Sequence, residues 1–158
     1  MGLFGTRQVR SEDDNLIVGR GRFIDDIRLP GMLHVAIVRS AAARAKIKVD
    51  VRAAATAPGV HAVFTAADLP ATARFLPDCH PSPTLQYPTS SPVLADGQVR
   101  YVGEPVVAIV AESRYIAEDA AELVEIEYDT QPAIIDLERA FASASDKVHQ
   151  HLASNVAA

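Results

Sequence analysis

Between Val99 and Asp129 the chain reads VRYVGEPVVAIVAESRYIAEDAAELVEIEYD, and the local rules there all point one way. Val99 to Val102 predicts a short strand. Gly103-Glu104 fits a two-residue hairpin turn with glycine at the positive-φ position. Pro105 stands where a strand can begin, and VVAIVA after it has the unbroken apolar character of a strand covered on both faces. Ser113 is placed to cap a helix in which Ile116, Ala120, Leu123 and Val124 share one face and Glu118, Asp119 and Glu122 the other. The period then switches from helix to strand, with Ile126 and Tyr128 alternating with Glu125, Glu127 and Asp129. A strand, a turn, a buried strand, a capped helix and another strand in sequence demand an α/β fold. The stretch contains no nucleophile, no cluster of metal ligands and no phosphate loop, so its specification is architectural.

The flanking segments add to the same class. Leu29-Pro30-Gly31-Met32 has the residues of a type II turn. Leu33 to Arg39 alternates as a strand, with Leu33, Val35 and Ile37 on one side; Ala36 and Val38 on the other imply that both faces are covered. AKIKVD, Ala45 to Asp50, is a half-buried strand with Ile47 and Val49 inward and Lys46 and Lys48 outward. Asp50 can cap the short helix VRAAATA, which Pro58-Gly59 stops. VHAVFT is a strand, and Thr65 with Asp68 makes a capped turn. Residues 70–92 hold six of the ten prolines and have no periodicity, which predicts a surface flap rather than a linker between domains. Asp136 begins a short final helix. The sum is a mixed α/β domain with six or seven strands in a mixed sheet, two or three helices and a proline-rich flap. Residues 1–12 read as an arm, 13–143 as the domain and 144–158 as a trailing tail.

Length and charge narrow the function classes. With 158 residues there is room for one ordinary core. An apolar fraction of 49% argues against disorder. The longest apolar run, Pro105 to Ala111, is far short of the ~20 residues of a membrane helix. MGLFGTRQVR lacks the apolar centre of a secretory signal. Its Gly2 and Thr6 match the myristoylation pattern, but no basic cluster or second anchor accompanies them. A net charge of −5 speaks against a nucleic-acid partner. The single cysteine, Cys79, allows no internal disulfide and suits the cytoplasm.

Residues with chemical potential are few. Gly19-Arg20-Gly21 lacks the third glycine and the strand-turn-helix frame of a dinucleotide fingerprint, so a tight bend explains it better. Asp13-Asp14 and Asp25-Asp26 are adjacent carboxylates, a poor arrangement for paired acid–base work; turn capping and solvation account for them. Cys79-His80 is the most reactive-looking dipeptide, yet a zinc site needs more ligands and a nucleophile needs a base from elsewhere. His149 and His151 sit in a tail that scaffolds a metal poorly. His34 and His61 fall within strands and read as partly buried structural residues. Glu104 reads as a turn residue that matters only if a partner docks against its tip.

Taken together, GRGRFIDDIRLPGMLHVAIVRS, APGVHAVFTAADLP, SPVLADGQVRYVGEPVVAIVAESRYIAEDAAELVEIEYD and PAIID, following Glu12-Asp13, carry a resemblance across nearly the whole chain. The pattern resembles the amino-terminal α/β-hammerhead domain of molybdenum hydroxylase large subunits, the xanthine dehydrogenase, aldehyde oxidase and aerobic carbon monoxide dehydrogenase superfamily. It departs at Ala41 to Ile47, AAARAKI, where the family commonly has a run containing Pro-His. The resemblance implies that molybdopterin ligands and the catalytic glutamate lie in a following region with no counterpart here. It therefore carries over no catalytic, cofactor-binding or metal-binding residue, and no cofactor bound by this chain alone. What it implies is a scaffold that assembles with a molybdopterin-binding polypeptide, and with FAD and iron-sulfur subunits, to hydroxylate an aldehyde, a purine or an N-heterocycle. The alternatives are an independent small-molecule binder or enzyme using Cys79 and His80, and a truncated remnant of the large subunit.

Overall fold

The computed structural model describes residues 4–5, 9–76, 83–84, 91–142, 147–150 and 152–156. The chain divides into two compact units, Met1–Met32 and Leu33–Ala158.

In the first unit a short helix, α1 (Asp13–Ile17), is followed by a 3-10 turn at Ile24–Asp26. Asp13 and Asp14 lie in the first turn of α1, where the helix dipole favours acids. Gly19 ends the helix at φ +69°, with its own N–H on the Leu16 carbonyl at 3.1 Å and the Arg20 N–H on the Asn15 carbonyl at 2.7 Å. That pair of bonds is a Schellman cap, which needs a left-handed residue at this position. Gly19 thus serves a bend, as expected, while at Gly21 a Cβ would lie 2.6 Å from Leu16 Cδ2. Asp26 accepts the Phe23 N–H at 2.9 Å, so the second acidic pair supplies a turn cap. The Leu29–Met32 turn closes as expected, with Gly31 at φ +73° and the Met32 N–H 3.1 Å from the Leu29 carbonyl.

The second unit contains β1 (His34–Arg39), β2 (Ala45–Asp50), α2 (Arg52–Ala55), β3 (Val60–Phe64), β4 (Gln98–Val99), β5 (Pro105–Ala111), α3 (Arg114–Glu122), β6 (Glu125–Thr130) and α4 (Leu137–Ala142). The mixed α/β class holds, but its strands are shared between two three-stranded sheets, β1-β5-β3 and β4-β2-β6. Every strand pairing in them is antiparallel, where a mixed sheet was expected. Hydrophobic alternation marks each strand but not its neighbour, and that is why the partition escapes a reading of the sequence.

The same cause overturns the hairpin at Gly103-Glu104. Gly103 does take a positive φ of +89°, but β4 pairs with β2 and β5 with β1 and β3. The segment between β4 and β5 is a corner that carries the chain from one sheet to the other. The strand expected over Val99 to Val102 is accordingly only Gln98–Val99.

Ser113 caps α3 as its placement requires, its hydroxyl accepting the Ile116 N–H at 3.2 Å. Ala117 and Ala120 are buried from this helix, and their small side chains let it lie close on β1 and β5. Leu123, expected on that inner face, is exposed, because α3 ends at Glu122 and the chain turns outward into β6. The core gathers Ala45 and Ile47 of β2, Ala54, Ala95, Val99, Ala120, and Val106, Val107 and Ile109 of β5. β2 and β6 match their alternation: Ile47 is buried, Ile126 and Tyr128 half-buried, and Lys46, Lys48, Glu127 and Asp129 exposed. At the base of the flap, Phe75 and Pro92 form an antiparallel bridge, and the Leu76 N–H meets the Ser91 carbonyl at 2.8 Å. Residues 77–82 and 85–90 of the expected flap lie outside the described residues.

Candidate functional site: a pinned corner and an open sheet face

Glu104 is where the structure departs furthest from the sequence reading. It is 1% exposed and forms no projecting tip. One carboxylate oxygen accepts the backbone N–H of Arg100; the other accepts Nη1 of the Arg100 side chain at 2.8 Å. The same guanidinium nitrogen reaches the Gln98 carbonyl at 3.4 Å. A buried carboxylate is tolerable only when paired and hydrogen-bonded, and Glu104 is both.

The backbone around it is fastened to the end of β1. The Ser40 N–H donates to the Glu104 carbonyl at 2.9 Å, and the Gly103 N–H donates to the Ser40 carbonyl at 2.8 Å. Arg39 Nη1 donates to the Gly103 carbonyl at 3.0 Å. Four residues, Arg100 to Gly103, are thereby held between a buried ion pair and a strand end, and Tyr101 and Val102 among them are exposed. The signal missed in the sequence is the i,i+4 spacing of Arg100 and Glu104 across a glycine, which allows the side chain to fold back on its own loop.

That loop adjoins an unusual sheet face. Directly opposed residues in antiparallel strands share a face. Val35 faces Val110, which in turn faces Ala62; Ile37 faces Ala108, which faces Phe64. All six are apolar. α3 packs on β1, β5 and β3, and Val107, Ile109 and Ala111 of β5 are buried, as is Val106 at the register shift opposite Val38 and Arg39. The opposite face leaves Val35 58%, Ile37 37% and Phe64 39% exposed. An antiparallel sheet with one solvated face normally carries polar residues there. The β4-β2-β6 sheet obeys this, opposing Lys46 to Asp129 and Lys48 to Glu127 on its outward face. The expectation that both faces of β1 are covered is not met within the described residues.

The other singled-out residues carry no chemistry together. His34 is half-buried. His61 is exposed rather than partly buried, its Nε2 3.6 Å from Glu112, because a register shift between Val60 and Ala62 turns it out of the strand alternation. Asp50 accepts the Arg52 N–H at 3.0 Å and pairs with its guanidinium, which holds the Asp50 carboxyl down at about 2. Asp68 accepts from the Thr65 N–H and hydroxyl, both at 2.7 Å, and its pKa is lowered by those bonds. Cys79, His80 and His151 lie outside the described residues. Among the described residues, no three His, Cys, Asp or Glu side chains converge as metal ligands would, and no helix is long and apolar enough to cross a membrane.

Comparison with known proteins places the architecture. The family model described as "Aldehyde oxidase and xanthine dehydrogenase, a/b hammerhead domain" matches residues 18–132. The nicotine 6-hydroxylase large subunit of Paenarthrobacter nicotinovorans is 43% identical over 135 residues, 85% of this chain and 16% of that protein. The carbon monoxide dehydrogenase large chain of Hydrogenophaga pseudoflava is 44% identical over 131 residues, 82% of this chain and 16% of that one. The crystal structure of quinoline 2-oxidoreductase from Pseudomonas putida 86 superposes with a TM-score of 0.86 at 42% identity, covering 98% of this chain and 20% of that one. This chain thus spans about a sixth of the length of the curated relatives it matches. It belongs to the aldehyde oxidase and xanthine dehydrogenase a/b hammerhead domain family.

Proposed function

We propose that the chain is a non-catalytic scaffold and interface domain of a molybdopterin-dependent hydroxylase acting on an aldehyde, a purine or an N-heterocycle. In that assembly residues 13–143 are the domain, flanked by an arm at 1–12 and a tail at 144–158. Its partner is a molybdopterin-binding large-subunit polypeptide, joined by FAD and iron-sulfur subunits, and its compartment is the cytoplasm. The observation that carries the proposal is the match in sequence to 16% of a nicotine 6-hydroxylase large subunit and of a carbon monoxide dehydrogenase large chain, and in fold to 20% of a quinoline 2-oxidoreductase chain.

The molybdenum cofactor supplies oxygen-transfer chemistry when bound, but the described residues do not fit it. They offer no converging set of metal ligands, and the buried acid, Glu104, is already committed to Arg100. No reaction step is assigned to this chain. Its own contribution is to present fixed surfaces, and the loop pinned by Glu104 is one of them.

The test is purification of the tagged chain from its native cells, with identification of what accompanies it and elemental analysis for molybdenum and iron. Stoichiometric recovery of a large molybdopterin-binding polypeptide with its metals is expected. Recovery of the chain alone and metal-free would remove the proposal.

A further inference from the structure

The open face of the β1-β5-β3 sheet sets exposed apolar side chains on regular strands of the second unit, and the scaffold proposal gives it a purpose. From the geometry we infer that Val35, Ile37 and Phe64, over Val110 and Ala108, form the surface on which the molybdopterin-binding polypeptide seats. This rests on the proposed function and adds to it the face that is used.

Three observations support that occupant. The first is the contrast between the sheets. Both are antiparallel and three-stranded, yet one opposes lysines to acids on its outward face, whereas the opposed outward residues of the other, Val35, Val110, Ala62, Ile37, Ala108 and Phe64, are all apolar, with Arg39 at the end of β1. A cover of apolar character is therefore called for on one sheet and not the other.

The second is area. Side chains of this size carry about 150–200 Å² each, so the exposed fractions of Val35, Ile37 and Phe64, with Leu33 just ahead of β1, leave on the order of 300 Å² of apolar surface. A dimer of freely diffusing copies buries roughly 800 Å² per partner, more than this face provides. The same demand falls on a separate larger polypeptide, so this face is one patch of a wider contact with it. In the relatives and the solved structure, the segment matching this chain is 16–20% of the polypeptide, so its standing neighbour there is the rest of that polypeptide.

The third is preorganisation. Arg39, two residues beyond Ile37 on the same side of β1, is tied to the Gly103 carbonyl, so the loop bearing exposed Tyr101 and Val102 is fixed at the end of the face. A surface ordered before binding loses less entropy on docking.

The experiment mixes the purified chain with the molybdopterin-binding polypeptide and follows complex formation by size exclusion with light scattering. Side-chain footprinting of the wild-type complex is read at Ile37 and Phe64. Ile37→Lys and, as a second variant, Val35→Lys should each weaken the complex at least about tenfold. Lys48→Glu, on the charged sheet, should bind as wild type. Both sheet-face positions are solvent-exposed, and circular dichroism of each variant confirms that it remains folded. A wild-type complex that forms without protection of Ile37 and Phe64, and is untouched by both lysines, overturns the assignment of this face while leaving the scaffold proposal standing. No complex from the wild-type chain overturns both. A wild-type homodimer that Ile37→Lys dissociates makes a second copy the occupant and overturns the inference.

Discussion

Removing the Glu104 side chain should damage this fold more than its place in a glycine turn suggests. Glu104→Ala deletes two acceptors at once. The Arg100 guanidinium loses a charge-assisted bond, a loss of about 1.5–3 kcal/mol, and the Arg100 N–H is left unsatisfied at about 1–3 kcal/mol. Side-chain exposures of 2% for Glu104 and 14% for Arg100 mean that water replaces little of this. The expected total is about 3–5 kcal/mol, the range for breaking a buried ion pair by removing one member. In urea, with a slope of about 2 kcal/mol/M, the midpoint should fall by about 2 M, and the melting temperature by roughly 10 °C. Glu104→Gln keeps an acceptor for the Arg100 N–H and should lose less than half as much. A cycle with Arg100→Leu should return a coupling of about 1–3 kcal/mol. If Glu104→Ala costs less than about 1 kcal/mol, the corner is not held by this pair.

Three smaller perturbations test the surrounding structure. Ser113→Ala removes the hydroxyl that accepts the Ile116 N–H and should cost about 1 kcal/mol in urea unfolding. Gly59→Ala forces an L side chain to φ +79° and puts its Cβ 2.8 Å from Ile116 Cδ1; the cost should be about 1–3 kcal/mol, read the same way. The Asp50 carboxyl, lowered from 3.8 to about 2 by its bonds from Arg52, contributes stability that is present above about 3.8 and lost as pH falls through about 2. Carbon-detected NMR titration should find that low midpoint and should see it rise toward 3.8 in Arg52→Ala.

What was legible in the sequence was what is local. The cap at Ser113, the Thr65–Asp68 turn, the alternation of Ile47 with Lys46 and Lys48, and the Gly31 turn each depend on residues within a few positions. What was not legible depends on which strand lies beside which. Val99 to Val102 and the strand from Pro105 read as one hairpin because only Gly103-Glu104 parts them, yet the observed strands, Gln98–Val99 and Pro105–Ala111, are five residues apart and join different sheets. Once that corner is misplaced, Glu104 falls at an exposed tip instead of folding onto Arg100. The open face of β1 was hidden for the opposite reason: its apolar alternation resembles that of a covered strand. The family resemblance was more specific than any single motif because it drew on the order of segments along the chain.

The central claim is that the chain contributes surface and not chemistry. It is tested most directly by separating the chain from the molybdopterin-binding polypeptide proposed as its partner and assaying hydroxylation, with molybdenum content, before and after recombination. The account predicts that molybdenum stays with the partner, that the chain alone turns over nothing, and that recombination restores activity without new metal; Ile37→Lys should recombine poorly. Molybdenum travelling with the chain, or turnover by the chain alone, would contradict it.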